Sequence, residues 1–99
     1  MKVLLCKPVH YSVPEKDPDN KHMDPANQPN PILSSLQHDS LAEFYQSLGV
    51  EVIYIPAVPE LPDMTFTANC GLTIGKKVIL SNYKPTRRRG ETPHFRKFF

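Results

Sequence analysis

Tryptophan is missing from this sequence, and no apolar run reaches the roughly 18 residues that a membrane-spanning helix needs. No membrane partner is therefore expected. Cysteine occurs only as Cys6 and Cys70, a separation that matches no metal-ligand spacing, and none of His10, His22, His38 and His94 stands at metal spacing from another ligand. No metal or other cofactor is predicted. Two cysteines without a secretory signal read as reduced thiols, which predicts a cytoplasmic chain. Glycine-rich phosphate loops, internal repeats and low-complexity tracts are absent too. The formal net charge is only +2, from 12 Lys and Arg against 10 Asp and Glu, too small a bias to argue for a nucleic acid partner.

What the sequence has in excess is proline. Most of its 11 prolines fall before residue 32 or between 56 and 62, marking two stiff, irregular segments. Ninety-nine residues allow one small domain. Lys2-Val3-Leu4-Leu5-Cys6 is a short apolar run consistent with a buried strand. Residues 7–30 carry no helical period and read as a long loop of the kind that often holds a ligand. Asn30-Pro31 supplies an N-cap and a proline at the first helical position, predicting a helix over 31–48 that Gly49 closes. Leu33, Leu36, Leu41, Phe44, Tyr45 and Leu48 form its apolar stripe. Val50–Ile55 reads as a second strand, so strand, helix and strand predict a right-handed crossover and a parallel pair. Met64–Ala68 is expected to be a third strand. Leu72–Ile74 and Val78–Ser81 form a hairpin about Gly75-Lys76-Lys77. Thr92-Pro93 repeats the cap-then-proline signal before Phe95, Phe98 and Phe99. The sequence stops on that apolar face, which either packs back onto the sheet or marks a truncation; the expectation adopted is a truncated, partial domain whose exposed Phe95, Phe98 and Phe99 support self-association.

The segment PDMTFTANCG, residues 62–71, has the densest candidate chemistry. On a strand, Asp63, Thr65, Thr67 and Asn69 would share one face and Met64, Phe66 and Ala68 the other. A bend at the strand end would bring a carboxylate, an amide oxygen and an aromatic ring to a common mouth. Such a mouth suits a planar cation, with acceptors for its N–H fork and a π face beside it. Taken singly, the same residues have plainer roles. Asp63 after Pro62 is a turn residue, Asn69 tolerates left-handed backbone before a glycine, and Phe66 is core. Lys84 and the run Arg87-Arg88-Arg89 read either as a solvated loop, as a surface for acidic partners, or as a clamp for a carboxylate.

These residues resemble a family. LPDMTFTANCGL is similar to the LPD-x-x-F-T-A-N-x-G-L strand of the guanidino-group modifying enzymes, which include arginine deiminases, dimethylarginine dimethylaminohydrolases, amidinotransferases, and arginine and succinylarginine dihydrolases. GVEVIYIP resembles the strand before it, Asn20-Lys21-His22-Met23 resembles the Asn-Pro-x-Met of a substrate loop, and Arg88-Arg89-Gly90-Glu91 resembles the R-R-G-E of the dimethylarginine hydrolase branch. Essentially the whole chain is covered.

The resemblance implies an α/β fold: the first ββαβ-type module, plus the start of the next, of a five-bladed α/β propeller. Residues 1–99 would be a single partial domain, with 7–30 as substrate loop. It implies a small-molecule guanidine as ligand, with Asp63 holding it, Phe66 lying against the guanidinium, Asn69 approaching its nitrogens, Arg88 taking the carboxylate and Asn20 closing the other end. Asn69 stands where many deiminases have Asp, which tilts the reading toward a dihydrolase. The implied mechanism is covalent: a cysteine thiolate attacks the guanidinium carbon, a histidine moves protons, and water releases the product. Cys70, in place of the usual Ala, reads as packing, since the family nucleophile comes near the end of a longer chain. Neither that cysteine nor the histidine has a matching position here. The chain alone is therefore expected to bind without catalysis, as part of a hydrolase or amidinotransferase, or alternatively as a stand-alone binding or regulatory module.

Overall fold

The computed structural model describes residues 1–16 and 20–99. Lys2–Leu5 forms β1, Pro31–Ser47 forms α1 and Glu51–Tyr54 forms β2, with β1 and β2 pairing in parallel from Lys2↔Glu51 to Leu5↔Tyr54. Local chemistry sets the helix ends. The Asn30 side chain accepts the Leu33 N–H at 3.0 Å and Pro31 needs no partner at the first position. Past the last turn Gly49 takes φ 76°, where its N–H donates to the Gln46 carbonyl at 2.9 Å and Val50 donates to Tyr45 at 3.0 Å.

The face that α1 turns inward differs from the expected stripe. Ala42 is buried and Ser35, His38, Asp39 and Tyr45 are half-buried, whereas Leu33, Leu36, Leu41, Phe44 and Leu48 are exposed. Hydrophobic periodicity marks an apolar face, but the docking face here is built from a small residue and side chains that make polar or ring contacts. Lys7 Nζ meets Asp39 at 3.1 Å, and the His38 and Tyr54 rings lie 6.3 Å apart.

The expected strand over Met64–Ala68 is absent. Pro62–Thr65 and Thr67–Asn69 are 3₁₀ turns, whose N–H groups go to their own chain: Met64 to Leu61, Phe66 to Asp63, Asn69 to Phe66 and Cys70 to Thr67. The alternation that suggested a strand has another cause. The Thr65 hydroxyl donates to the Cys6 carbonyl at 3.1 Å and the Thr67 hydroxyl to the Leu4 carbonyl at 2.8 Å. Two threonines with a spacing of two thus satisfy the outer edge of β1 through side chains, where a strand would have used its backbone.

Gly71–Ile74 (β3) and Lys77–Leu80 (β4) make an antiparallel hairpin, turned by Gly75 at φ 58° and Lys76. Gly71 lies so close to β4 that a Cβ there would stand 2.5 Å from the Ile79 carbonyl oxygen. The second helix, α2, is Glu91–Phe98. It begins before the anticipated Thr92 cap, because the Thr92 hydroxyl donates instead to the Ser81 carbonyl at 3.1 Å. Its apolar face is not a free surface for self-association. Phe95 is wholly buried among Cys6, Ile55, Met64 and Cys70, Phe98 packs at the margin of that cluster, and only Phe99 is half exposed. Burying one such ring contributes about 1.5–3 kcal/mol, reason enough for α2 to fold back onto the sheets. Among the described residues the strands fall into two two-stranded sheets, and the element order is βαβββα. No helix of the described residues is long and apolar enough to cross a membrane.

Candidate functional site

The loop between β4 and α2 places the arginine run. Thr86–Arg88 is a 3₁₀ turn, with the Arg88 N–H donating to the Pro85 carbonyl at 3.0 Å. This turns the Arg88 side chain inward, where it is 4 % exposed. Its guanidinium forms a two-pronged pair with the buried Glu91: Nε donates to Oε1 at 2.9 Å and Nη2 to Oε2 at 3.0 Å. Nη2 also donates to the Asp63 backbone carbonyl at 3.2 Å, and Nη1 donates to Asn69 Oδ1 at 3.2 Å. The Tyr83 ring lies beneath, with its centroid 4.4 Å from the guanidinium carbon.

The neighbouring arginines are also held. Arg87 Nε donates to Oδ2 of Asp63 at 2.9 Å, and that carboxylate is 1 % exposed. Arg89 donates from Nε to the Tyr83 carbonyl at 3.1 Å and from Nη2 to the Lys84 carbonyl at 3.2 Å. The run is therefore not a freely solvated loop: Arg88 is buried, Arg87 is half-buried, and Arg89, though exposed, is tied to two carbonyls of its own loop. The run ties the loop to the 3₁₀ segment.

Of the candidate ligand-binding residues, Asp63, Asn69 and Arg88 are brought into one hydrogen-bonded group. Phe66 follows Asp63 by a single turn, and the Tyr11 ring meets it edge-on at a centroid distance of 5.3 Å, so the 7–30 loop reaches the site through an aromatic contact. Asn20 is engaged within its own loop. Its side chain accepts the His22 N–H at 2.9 Å and its carbonyl accepts the Met23 N–H at 3.2 Å. The Pro18-Asp19 turn anticipated before it lies outside the described residues. Another part of that loop is pinned by Gln28, whose amide accepts from Val13 N–H and donates to the Val13 carbonyl, each at 2.9 Å. Glu91, Tyr83 and Tyr11 were not picked out from the sequence as site residues. The Arg88-x-x-Glu91 spacing was the available signal for Glu91, since residues three apart at a helix start are neighbours.

Asn69 is exposed at the rim of an open groove of about 550 Å³, lined also by Ser81, Asn82, Tyr83, Lys84 and Arg88. Burial keeps the nearby thiols and the Tyr83 phenol in their neutral forms. Burial, with Glu91 adding to it, pushes the Cys6 thiol up to about 11. Burial raises Cys70 as well, and it raises the Tyr83 phenol with Glu91 acting in the same direction. Both thiols are thus protonated at neutral pH and buried, the opposite of what a nucleophilic cysteine requires. No group of His, Cys, Asp and Glu among the described residues could hold a metal ion.

A buried carboxylate holding a guanidinium, on an LPDMTFTANCGL segment beside a groove, defines a class. The chain belongs to the dimethylarginine hydrolase family: residues 8–97 match the family described as N,N dimethylarginine dimethylhydrolase, eukaryotic. It is 34% identical over 106 residues to the uncharacterized protein YkgA of Bacillus subtilis, covering 99% of this chain and 34% of that protein. It is 31% identical over 103 residues to the bifunctional arginine dihydrolase/ornithine cyclodeaminase ArgZ of Synechocystis sp., covering 100% of this chain and 14% of that one. The apo crystal structure of ArgZ matches with a TM-score of 0.88 at 30% identity, over 98% of this chain and 14% of that one. The N-terminal domain of ArgZ bound to substrate matches at 0.84 and 28% identity, over 98% of this chain and 35% of that one. The chain thus has a mixed α/β fold like the N-terminal domain of ArgZ, and spans about a third of YkgA and a seventh of ArgZ.

Proposed function

We propose that this chain is the substrate-holding part of a hydrolase, or amidinotransferase, that acts on the guanidinium group of arginine or an arginine derivative. The observation that carries the reading is the buried Asp63 carboxylate, which already holds a guanidinium, that of Arg87, at 2.9 Å. A carboxylate shielded from water attracts a planar cation far more strongly than a solvated one does. The likeness to an arginine dihydrolase, solved with substrate bound, supports the same ligand class. In this reading Asp63 takes the guanidinium, Phe66 flanks it, Asn69 meets the ligand at the groove rim, and the 7–30 loop covers the site with Asn20 at its far end. The fork of Arg88 is committed to Glu91 and Asn69, so its part is to hold the site together; taking a ligand carboxylate would require that fork to open. In this reading the chain supplies the first ββαβ-type module, plus the start of the next, of a five-bladed α/β propeller.

The chemistry in this proposal is a thiolate attack on the guanidinium carbon followed by hydrolysis, and it needs a cysteine and a histidine that have no matching positions here. Cys6 and Cys70 are buried and protonated. That same observation favours a second reading, a guanidino-ligand binding module without catalysis. Titrating arginine, methylated arginine and agmatine into ¹⁵N-labelled protein tests the shared core of both. Binding that Asn69→Ala abolishes is the expected result. Absence of binding, or binding indifferent to Asn69, overturns it, and release of ammonia, citrulline or ornithine by the purified chain overturns its predicted inactivity.

A further inference from the structure

Glu91 has no role in the reading above, yet it is 1 % exposed and both its oxygens are used. A carboxylate is seldom buried to this degree unless something fixes it there, and here its partner is Arg88. The pair does more than neutralise two charges. With Nε and Nη2 of Arg88 taken by Glu91, the plane of the guanidinium is fixed, and Nη1 is left directed at the Asn69 side chain, 3.2 Å from Oδ1. Arginine carries donors only, so the amide atom that faces it must be the oxygen; an NH₂ there would set donor against donor. The opposite end of the Asn69 amide, Nδ2 with its two protons, is therefore the end left for the groove that Asn69 lines.

We propose that Glu91 is a positioning residue which, through Arg88, sets the polarity of the Asn69 amide so that the groove presents a hydrogen-bond donor at this point. The ligand atom that meets Asn69 is then an acceptor, such as the oxygen of a ureido group, while the N–H groups of the same ligand are left to Asp63. This rests on the reading that Asn69 contacts the ligand, and it revises the expectation that Asn69 accepts from the guanidinium. It also names a preference: at Asn69 the site favours a ureido ligand such as citrulline over the corresponding guanidine. Replacing Asn69 by Asp would reverse that preference, because one carboxylate oxygen would stay with Arg88 and the other would offer the groove an acceptor.

NMR of the full chain tests the polarity without any ligand. In the wild type the Asn69 side-chain NH₂ protons exchange freely with solvent while Arg88 Nη1–H is protected; protected Asn69 NH₂ protons would overturn the proposal outright. Glu91→Gln keeps the shape but loses an acceptor. It is expected to shift and average the two Asn69 NH₂ resonances and to cut the citrulline-over-arginine preference at least fivefold, while Asn69→Asp inverts it. Should Glu91→Gln fail to fold, Arg88→Lys removes the fork and keeps the charge, with the same expected loss. Unchanged Asn69 resonances in either variant count against a positioning role. If the wild type takes up neither citrulline nor arginine, the proposed function fails on its own, and the ligand-free resonances still decide the role of Glu91.

Discussion

Arg87 Nε sits 2.9 Å from Oδ2 of Asp63, so the carboxylate assigned to an incoming guanidinium already holds one from its own chain. Asp63 is buried, whereas the Arg87 side chain keeps 23% of its surface in contact with solvent. The arginine is therefore the partner that can leave. A ligand guanidinium would replace it atom for atom and must first displace it, which costs affinity. Arg87→Ala is expected to raise arginine affinity by about fivefold to tenfold, equivalent to roughly 1–1.4 kcal/mol. It should also lower the stability of the free protein by about 1–3 kcal/mol, because a buried acceptor loses a charged donor. Thermal shift with and without arginine separates the two effects. A variant that is destabilised and gains nothing from arginine would show that Asp63 serves only the fold.

Arg88 and Glu91 lend themselves to a double-mutant test. Both are buried, at 4 % and 1 %, so removing one leaves the other without its counter-charge. Arg88→Ala is expected to cost about 3–5 kcal/mol of stability in urea unfolding. Replacing both partners with apolar residues of similar volume, Arg88→Met with Glu91→Leu, should recover most of that loss while abolishing ligand binding. If the double variant is as unstable as the single one, the pair is more than compensated charge, and Tyr83 stacking or the Asp63 carbonyl contact carries the difference.

Local signals were the readable ones. The Asn30-Pro31 cap, the Gly49 stop and the Gly75 hairpin all depend on residues a few positions apart, and each was visible in the sequence. Errors arose where a pattern had two possible long-range causes. Thr65 and Thr67 alternate as in a strand, but their hydroxyls, not their backbone, meet the edge of β1, 59 and 63 residues away in sequence. The leucines of α1 form an apolar stripe, yet the stripe points away from β2 and Ala42 faces inward. Phe95 was expected to be exposed because the sequence shows no partner near it; its partners are Cys6, Ile55, Met64 and Cys70, brought in by the fold. For the site, the resemblance drew attention to Asp63 and Asn69, but their link through Arg88 depends on α2 starting at Glu91, one residue before the sequence cap. Adjacent arginines with opposite burial, Arg88 inside and Arg89 outside, follow from a 3₁₀ turn that composition does not reveal.

Gly71 tests how tightly the site is built. It follows Cys70 directly, opens β3, lines the groove beside Asn69, and has no room for a Cβ against the Ile79 carbonyl. The contact is with backbone, so a substitution must push the two strands apart instead of turning a side chain. Gly71→Ala is expected to cost about 1–3 kcal/mol and to weaken ligand binding along with stability. Gly49→Ala provides the comparison. Its φ of 76° is strained for alanine but a Cβ there meets no atom within 4 Å, so roughly 1–2 kcal/mol should be lost with binding intact. Equal effects on binding from the two variants would mean that the β3–β4 spacing does not set the groove.

Alkaline pH should loosen this protein through its buried thiols. Cys6 in the folded chain is pushed up from 9.0 to about 11, first by burial and then by Glu91. The folded state therefore holds this proton more tightly than the unfolded state does. The sign follows directly: the stabilising contribution is complete below pH 9.0 and is lost progressively as the pH rises toward about 11. Cys70 and Tyr83 are raised as well, mainly by burial, and act in the same direction. Urea midpoints measured at pH 7, 9 and 10 should fall only over the upper part of that range, and Cys6→Ala should flatten the fall at some cost in packing at neutral pH. Thiol reagents should label native protein slowly below pH 9 and label it fast once urea opens the core. Rapid labelling of Cys6 in the native state at pH 7 would mean that this thiol is open to solvent, and it would reopen the question of whether the chain carries a nucleophile of its own.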